Sequence, residues 1–209
     1  MRPLTEAERR DRQDQLADLA LGMFLEVGYA GTTIAGLARR AGVGKGTVFL
    51  AFASKEALFL HAAGRRVRAW MARLAPLEGP AGPLAAGILR TLQEDPALLP
   101  LLALVHPVLE QACGAAQVLA FKRSMGEELG GLVQVWSARW PWVPAEAWWP
   151  LLMRAYAAIL GAWSMADTSE ALRPAMSGEP DLARFLVRFE DLLVPMLEGL
   201  LAQAGLAAR

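Results

Sequence analysis

Apolar and polar positions recur along this chain with the period of an α-helix, and no useful run alternates as a strand would. After a charged start expected to be frayed, Leu16, Leu19, Ala20, Met23, Phe24 and Val27 share one broad apolar face. Thr5 and Glu8 have capping-box spacing, so the first helix is expected to open there and to end at Gly28. Thr33 is a good N-cap, and Ile34, Leu37, Ala38 and Ala41 follow at i, i+3, i+4 and i+7 as one stripe on a short second helix. Gly42 stands where a left-handed residue ends a helix, with Val43 as a turn plug. A third helix starts near Gly44, with Val48 and Phe52 on one face and Lys45, Thr47 and Phe49 pointing elsewhere. Ser54 is the cap of a long fourth helix over 55–75, and the Pro/Gly-rich stretch 76–83 then breaks the chain.

Beyond it, helices are expected near 82–94, 97–111, 114–139, 145–167 and 181–204, punctuated by Pro96, Pro100, Pro107, Pro141, Pro144, Pro174 and Pro180. Pro100 and Pro107 fall in a very apolar segment, which should be buried on most sides and kinked. The polar stretch 167–181 joins the last two long helices, both richer in apolar positions than a small helical domain needs. The fold class is all-α. Two short helices around a tight Gly turn make either an ordinary αα-corner or a helix-turn-helix, whose second helix can enter a DNA major groove.

The stretch from Gly28 to Leu58 resembles the DNA-binding module of the tetracycline-repressor (TetR) family of transcriptional regulators. The residues that carry the likeness are Gly28-Tyr29, Thr32-Thr33-Ile34, Leu37-Ala38, Ala41-Gly42-Val43, Gly46-Thr47-Val48, Phe52, and Ser54-Lys55-Glu56 with Leu58. The resemblance implies a three-helix DNA-binding head over 1–53 and a larger helical domain over 54–209 for effector binding and dimerisation. It implies DNA contacts by Thr32, Thr33, Gly44, Lys45, Gly46, Thr47, Phe49, Leu50 and Lys55, with Thr33 and Lys55 on the backbone. The dipole at the start of the fourth helix would help Lys55 hold a phosphate. The chain departs from the family at Gly44, where Ser or Thr is usual, at Phe49, where Tyr is usual, and at Ala51, often His or Tyr. The change at Gly44 removes a capping hydroxyl, and those at Phe49 and Ala51 remove donors to phosphate and imply weaker binding at physiological salt.

Charge adds to this picture. The chain is formally neutral, but residues 1–75 hold 12 Lys and Arg against 7 Asp and Glu, net +5, and residues 76–209 hold 9 against 14, net −5. A positive N-terminal third suits a footprint on DNA, although a solvated face of Arg65, Arg66, Arg68 and Arg73 would account for part of it. With 55% apolar residues the chain can bury a large core, and its single cysteine excludes an internal disulfide or a multi-cysteine metal site. No signal-type N-terminus or membrane-spanning apolar run is present, so a cytoplasmic protein is expected.

No nucleophile motif, zinc-protease motif, P-loop or dinucleotide fingerprint occurs, and His61 and His106 lack a ligating neighbourhood, so neither catalysis, a metal nor a cofactor is expected. In the resembled family the last two helices pair into a four-helix dimer interface. Here that implies a homodimer through Leu152, Ala155, Ile159, Ala162, Trp163, Phe189, Leu193, Met196 and Leu200, although the same surfaces could be used within one subunit. The family also encloses a cavity for a small, often apolar effector, with Trp70, Met71, Leu102, His106, Leu109, Met125, Val133 and Trp136 as candidates here and core packing as their alternative. Two effector classes fit. An acyl chain or acyl-coenzyme A would meet Lys122-Arg123, Arg90 or the Arg65–Arg68 group, whereas a cationic amphiphile would meet Glu110 and aromatic faces. The acyl ligand is preferred. The combined expectation is a repressor released from a palindromic operator; the alternative is a helical ligand- or protein-binding module with a vestigial head.

Overall fold

The computed structural model describes residues 5–169 and 171–207, and every regular element among them is helical. The frayed start expected ahead of Thr5 lies outside these residues. Thr5 opens α1 (Glu6–Gly31) through a full capping box: its hydroxyl accepts from the Glu8 N–H at 3.2 Å, and its own N–H donates to the Glu8 carboxylate at 2.7 Å. At Gly28 the backbone swings to φ 71°, ψ 176° and interrupts the helix, a conformation open to glycine. Leu16, Ala17, Ala20, Leu21, Met23 and Phe24 are buried. Val27 was expected on the same face but is 57% exposed, because its side chain lies along Gly31 of its own helix instead of entering the core.

Three short-range devices set the next elements. The Thr33 hydroxyl accepts from Gly36 N–H at 3.0 Å to start α2 (Ile34–Arg40). Gly42, at φ 65°, ends it and leads to α3 (Lys45–Ala51). The Ser54 hydroxyl accepts from Ala57 N–H at 3.1 Å to start α4 (Lys55–Leu74). There follow α5 (Ala81–Gln93), α6 (Leu98–Leu104), α7 (Glu110–Ala112), α8 (Ala115–Arg139), α9 (Ala145–Ala166), α10 (Arg173–Ser177), α11 (Pro180–Ala183) and α12 (Phe189–Leu201). The helix expected over 97–111 is divided, since Pro107 has no N–H to give and the chain takes a π-type turn over Val105–Leu109.

The helix expected over 181–204 is divided as well. Leu182 and Phe185 continue the apolar period, yet they are 45% and 64% exposed. Without burial to support it, the helical register lapses after α11. Arg188 becomes an extended N-cap (φ −94°, ψ 142°), and Glu190 and Asp191 supply the acidic first turn that the dipole of α12 favours.

The chain packs as two compact units. One joins the residues up to Ala69 with Pro100–Glu127; the other joins Trp70–Leu99 with the residues from Glu128 onward. In the first, Phe59 is fully buried and meets Phe24 and Tyr29 edge-on at 5.6 and 5.1 Å. In the second, α12 lies against α9 and α5 and buries Leu193, Leu197 and Leu201. Trp136, Trp140 and Trp148 form a cluster with ring centroids 5.6–5.8 Å apart. Trp136 Nε1 donates to Leu74 O at 3.3 Å, and Arg139 Nη1 donates to Ala75 O at 2.6 Å and Leu77 O at 2.5 Å, so both serve carbonyls at the end of α4. No helix among the described residues is long and apolar enough to cross a membrane.

Candidate nucleic-acid interface

A seven-residue helix such as α3 cannot persist alone in water, so its neighbours must hold it. Val48 is fully buried and Phe52 is 5% exposed, which fixes its inner face. Gln13 of α1 donates to the Ala51 carbonyl at 2.8 Å and satisfies an orphan acceptor in its last turn. The turn before it closes in Schellman fashion: Gly42 N–H donates to Arg39 O at 3.2 Å and Val43 N–H to Ala38 O at 3.0 Å. Gly44 is the N-cap of α3 and offers no side-chain bond.

With one face held, the other is presented. Lys45 and Gly46 are exposed, Thr47 is half-buried, Phe49 is 54% exposed and Leu50 is 91% exposed. Lys45 and Arg39 have no ion-pair partner among the described residues. Arg39 was not singled out in the sequence; its signal was a basic residue off the apolar stripe of α2. Arg40 is otherwise engaged, holding Glu26 of α1 through two bonds of 2.6 Å.

Three of the expected DNA contacts, Thr32 and the two expected on the backbone, Thr33 and Lys55, have bonding partners within the subunit. Thr32 is 2% exposed, and its hydroxyl donates to Gly28 O at 2.9 Å; it seals the end of α1, and its side chain is not available to a duplex. Thr33 is exposed, with its hydroxyl capping α2. The Lys55 ammonium donates to the Tyr29 carbonyl and lies 3.8 Å from the Tyr29 ring centroid, so it has an internal partner in place of a free reach to phosphate. Burial holds the Lys55 ammonium below its usual range, partly offset by the Glu56 charge. The Tyr29 hydroxyl donates to Glu56 Oε1 at 2.9 Å. Burial works to raise the Glu56 carboxyl, but its own N–H, the Tyr29 and Ser54 hydroxyls and the Lys55 charge together outweigh it and bring it below the usual range.

The other candidates are distributed over both units. Trp70, Met71 and Trp136 are buried in the second unit, where Trp70 Nε1 donates to Thr91 Oγ1 at 2.9 Å, and Val133 is half-buried there. Leu102 and Leu109 are buried in the first, and Met125 is half-buried. His106 is not enclosed: its side chain is 50% exposed, with Nδ1 3.2 Å from Glu110 Oε2. Among the dimer candidates, Ile159, Ala162 and Leu193 are buried within the subunit. Leu152, Ala155, Trp163, Phe189 and Leu200 are half-buried, Met196 is 46% exposed, and Trp163 meets Phe189 edge-on at 5.8 Å. Among the described residues no cluster of His, Cys, Asp and Glu could hold a metal ion.

Against known proteins, residues 16–62 match the family described as bacterial regulatory proteins of the tetR family, and residues 61–209 match the tetracyclin repressor-like C-terminal domain. No curated protein matches. Among solved structures, a crystal structure described as a candidate TetR-family transcriptional regulator from Mesorhizobium loti aligns with a TM-score of 0.53 at 20% identity, over 96% of this chain and 98% of that one. That likeness shows the shared fold. Together the two family matches run from α1 through the last helix, and the chain belongs to the TetR family of DNA-binding bacterial transcriptional regulators.

Proposed function

We propose that the chain is a homodimeric repressor that places α3 of each subunit in the major groove of a palindromic operator and leaves it when a small apolar effector binds. The observation that carries this reading is the outer face of α3, where Lys45, Thr47, Phe49 and Leu50 stand beside a helix start free of side-chain caps. An exposed Leu next to an exposed Phe suits the methyl groups of thymine, and Lys45 suits guanine or phosphate oxygens. The amides of Gly44 and Gly46 add backbone donors that can approach a phosphate closely.

The dimer would form on α9 and α12, using the half-buried and exposed members of the expected set, with Ile159, Ala162 and Leu193 joining the two helices within each subunit. A two-fold pair would set its recognition helices about 34–36 Å apart, one turn of DNA. For the effector, an acyl compound remains preferred. Glu110, the counter-charge a cationic amphiphile would need, is already engaged, with Oε1 2.5 Å from Lys122 Nζ and Oε2 3.2 Å from His106 Nδ1; the same pair takes Lys122 from an acyl ligand, which keeps Arg123 and Arg90 as alternatives. Only a compound with different affinities for the DNA-bound and free conformations can drive release.

Selection from a randomised duplex pool, followed by fluorescence anisotropy on the recovered sequence, tests the reading. An inverted repeat, released by dodecanoyl-coenzyme A and unaffected by dodecyltrimethylammonium, is expected. Recovery of no inverted repeat would overturn the operator, and release by the cation alone would overturn the effector class.

A further inference from the structure

Resting on the dimer reading above, we propose that the break between α11 and α12 closes when two copies of the chain pair, so that residues 180–201 form one helix and Leu182 and Phe185 enter the interface. Nothing local encodes the break. From Asp181 to Val194 the chain holds neither Gly nor Pro, the residues that ordinarily stop a helix. The signals of a helix start stand at α11, where Pro180 occupies the first turn and Asp181 supplies its acidic charge. By contrast α12 opens at Arg188 without a side-chain cap, which leaves its first N–H groups to be satisfied from outside the helix. In a continuous helix the carbonyls of Phe185, Leu186 and Val187 would take the N–H groups of Phe189, Glu190 and Asp191. The ion pairs Arg184–Asp181 at 3.0 Å and Arg188–Asp191 at 4.0 Å are three apart in sequence and suit that helix.

What the continuous helix lacks within one subunit is burial. Phe185 is 64% exposed, which leaves on the order of 100 Å² of ring surface in water. Leu182, Phe185, Phe189, Leu192 and Met196 follow one another by three and four residues in turn, the heptad spacing of a seam between two helices. A different stripe, Leu193, Leu197 and Leu201, is buried inside the subunit, where α12 lies against α9 and α5. The seam is therefore a second face, and Met196 already places it on the side assigned to the dimer. Within α12 it runs from Phe189 to Gly199, about 15 Å; begun at Leu182 it runs about 26 Å. Its occupant is a second copy of this chain. Arg184, Arg188, Glu190, Asp191 and Glu198 all fall beside the seam and none on it, so a charged partner finds no counterpart there and like copies do not repel. A two-fold pair sets one patch against itself, which an uncharged helical seam permits. Covering Leu182 and Phe185 then offsets the entropy of ordering residues 184–188.

Sedimentation equilibrium and hydrogen–deuterium exchange of the DNA-free protein test this. The natural protein should sediment as a dimer in which the amides of residues 188–191 exchange at least tenfold more slowly than in a Met196→Glu monomer. Phe185→Ser, at an exposed position, should leave the melting temperature of that monomer unchanged, and in the natural chain it should raise the dimer dissociation constant at least tenfold. Arg188→Pro should raise it as much, because proline inside a helix lacks the N–H and clashes with the carbonyl of Arg184. The extended backbone at 188 has φ −94° and needs only a moderate turn toward proline's value of about −65°. If Arg188→Pro lowers the melting temperature of the monomer, Phe185→Ser and the exchange rates carry the test. A dimer whose 188–191 amides exchange as in the monomer, or whose dissociation constant is indifferent to Phe185→Ser or to a stably folded Arg188→Pro, would overturn the proposal and leave the dimer standing. A natural protein that sediments as a monomer would overturn both.

Discussion

The Lys55 ammonium is clasped by Tyr29, whose carbonyl accepts a hydrogen bond from it while the ring centroid lies 3.8 Å away. Since Tyr29 follows the break in α1 and Lys55 opens α4, this pair ties the two long helices of the head together. Lys55→Ala should therefore destabilise the head by about 1–2 kcal/mol, through loss of a charge-assisted bond and a cation–π contact. Binding to every DNA sequence should weaken alike, with the salt slope unchanged. A slope reduced by about one would place the ammonium on phosphate instead.

The same cluster sets an alkaline limit on stability. Burial first, then the hydrogen bond and charge of Glu56, hold the Tyr29 phenol protonated well above its ordinary 10.0. The unfolded chain loses this proton near the ordinary value while the folded one keeps it, so the stability it contributes is present below pH 10 and declines as pH rises further. Melting temperatures taken from pH 9 upward should fall more steeply in the natural protein than in Tyr29→Phe.

Leu50 contributes little to folding and, on the reading above, much to recognition. At 91% exposure, Leu50→Ala should change stability by less than about 0.5 kcal/mol. Operator affinity measured by anisotropy should fall at least tenfold. Equal affinity in the variant would remove Leu50 from the interface.

Two glycines of the turn respond in opposite directions. Gly42 sits at φ 65° in open space, so Gly42→Ala meets no clash but should cost about 1 kcal/mol of backbone strain. Gly44 has φ −72° and no side-chain cap, so Gly44→Ser should gain a few tenths of a kcal/mol by capping α3. Thermal denaturation of the two variants gives both signs.

Met196 and Leu193 separate assembly from folding. Met196 is 46% exposed and Leu193 is fully buried. Met196→Glu should leave a folded monomer in light scattering that no longer binds its operator, whereas Leu193→Asp should unfold the second unit. A dimeric Met196→Glu protein would move the interface elsewhere.

Much of the head was legible because its devices act over a few residues. The Thr5–Glu8 box, the Thr33 and Ser54 caps and the left-handed Gly42 each join positions at most a turn or so apart. Periodicity alone could not tell which apolar residues would find partners: Val27, Leu182 and Phe185 keep the helical spacing and remain exposed. Nor could it show the burial of Thr32, which closes on Gly28 beyond the break in α1, or the inward turn of Lys55, which depends on Tyr29 in another element.

Taken alone, the order of residues determined the all-helical class, the caps, the sharp turn and the module that ties the chain to its family, because these follow from spacing and local backbone preference. Tertiary structure decided which side chains of that module remain available to DNA and where the last helix begins. Those outcomes rest on contacts such as Arg40 with Glu26 and His61 with Asp14. Their partners are distant in sequence, and only the folded chain brings them within bonding distance.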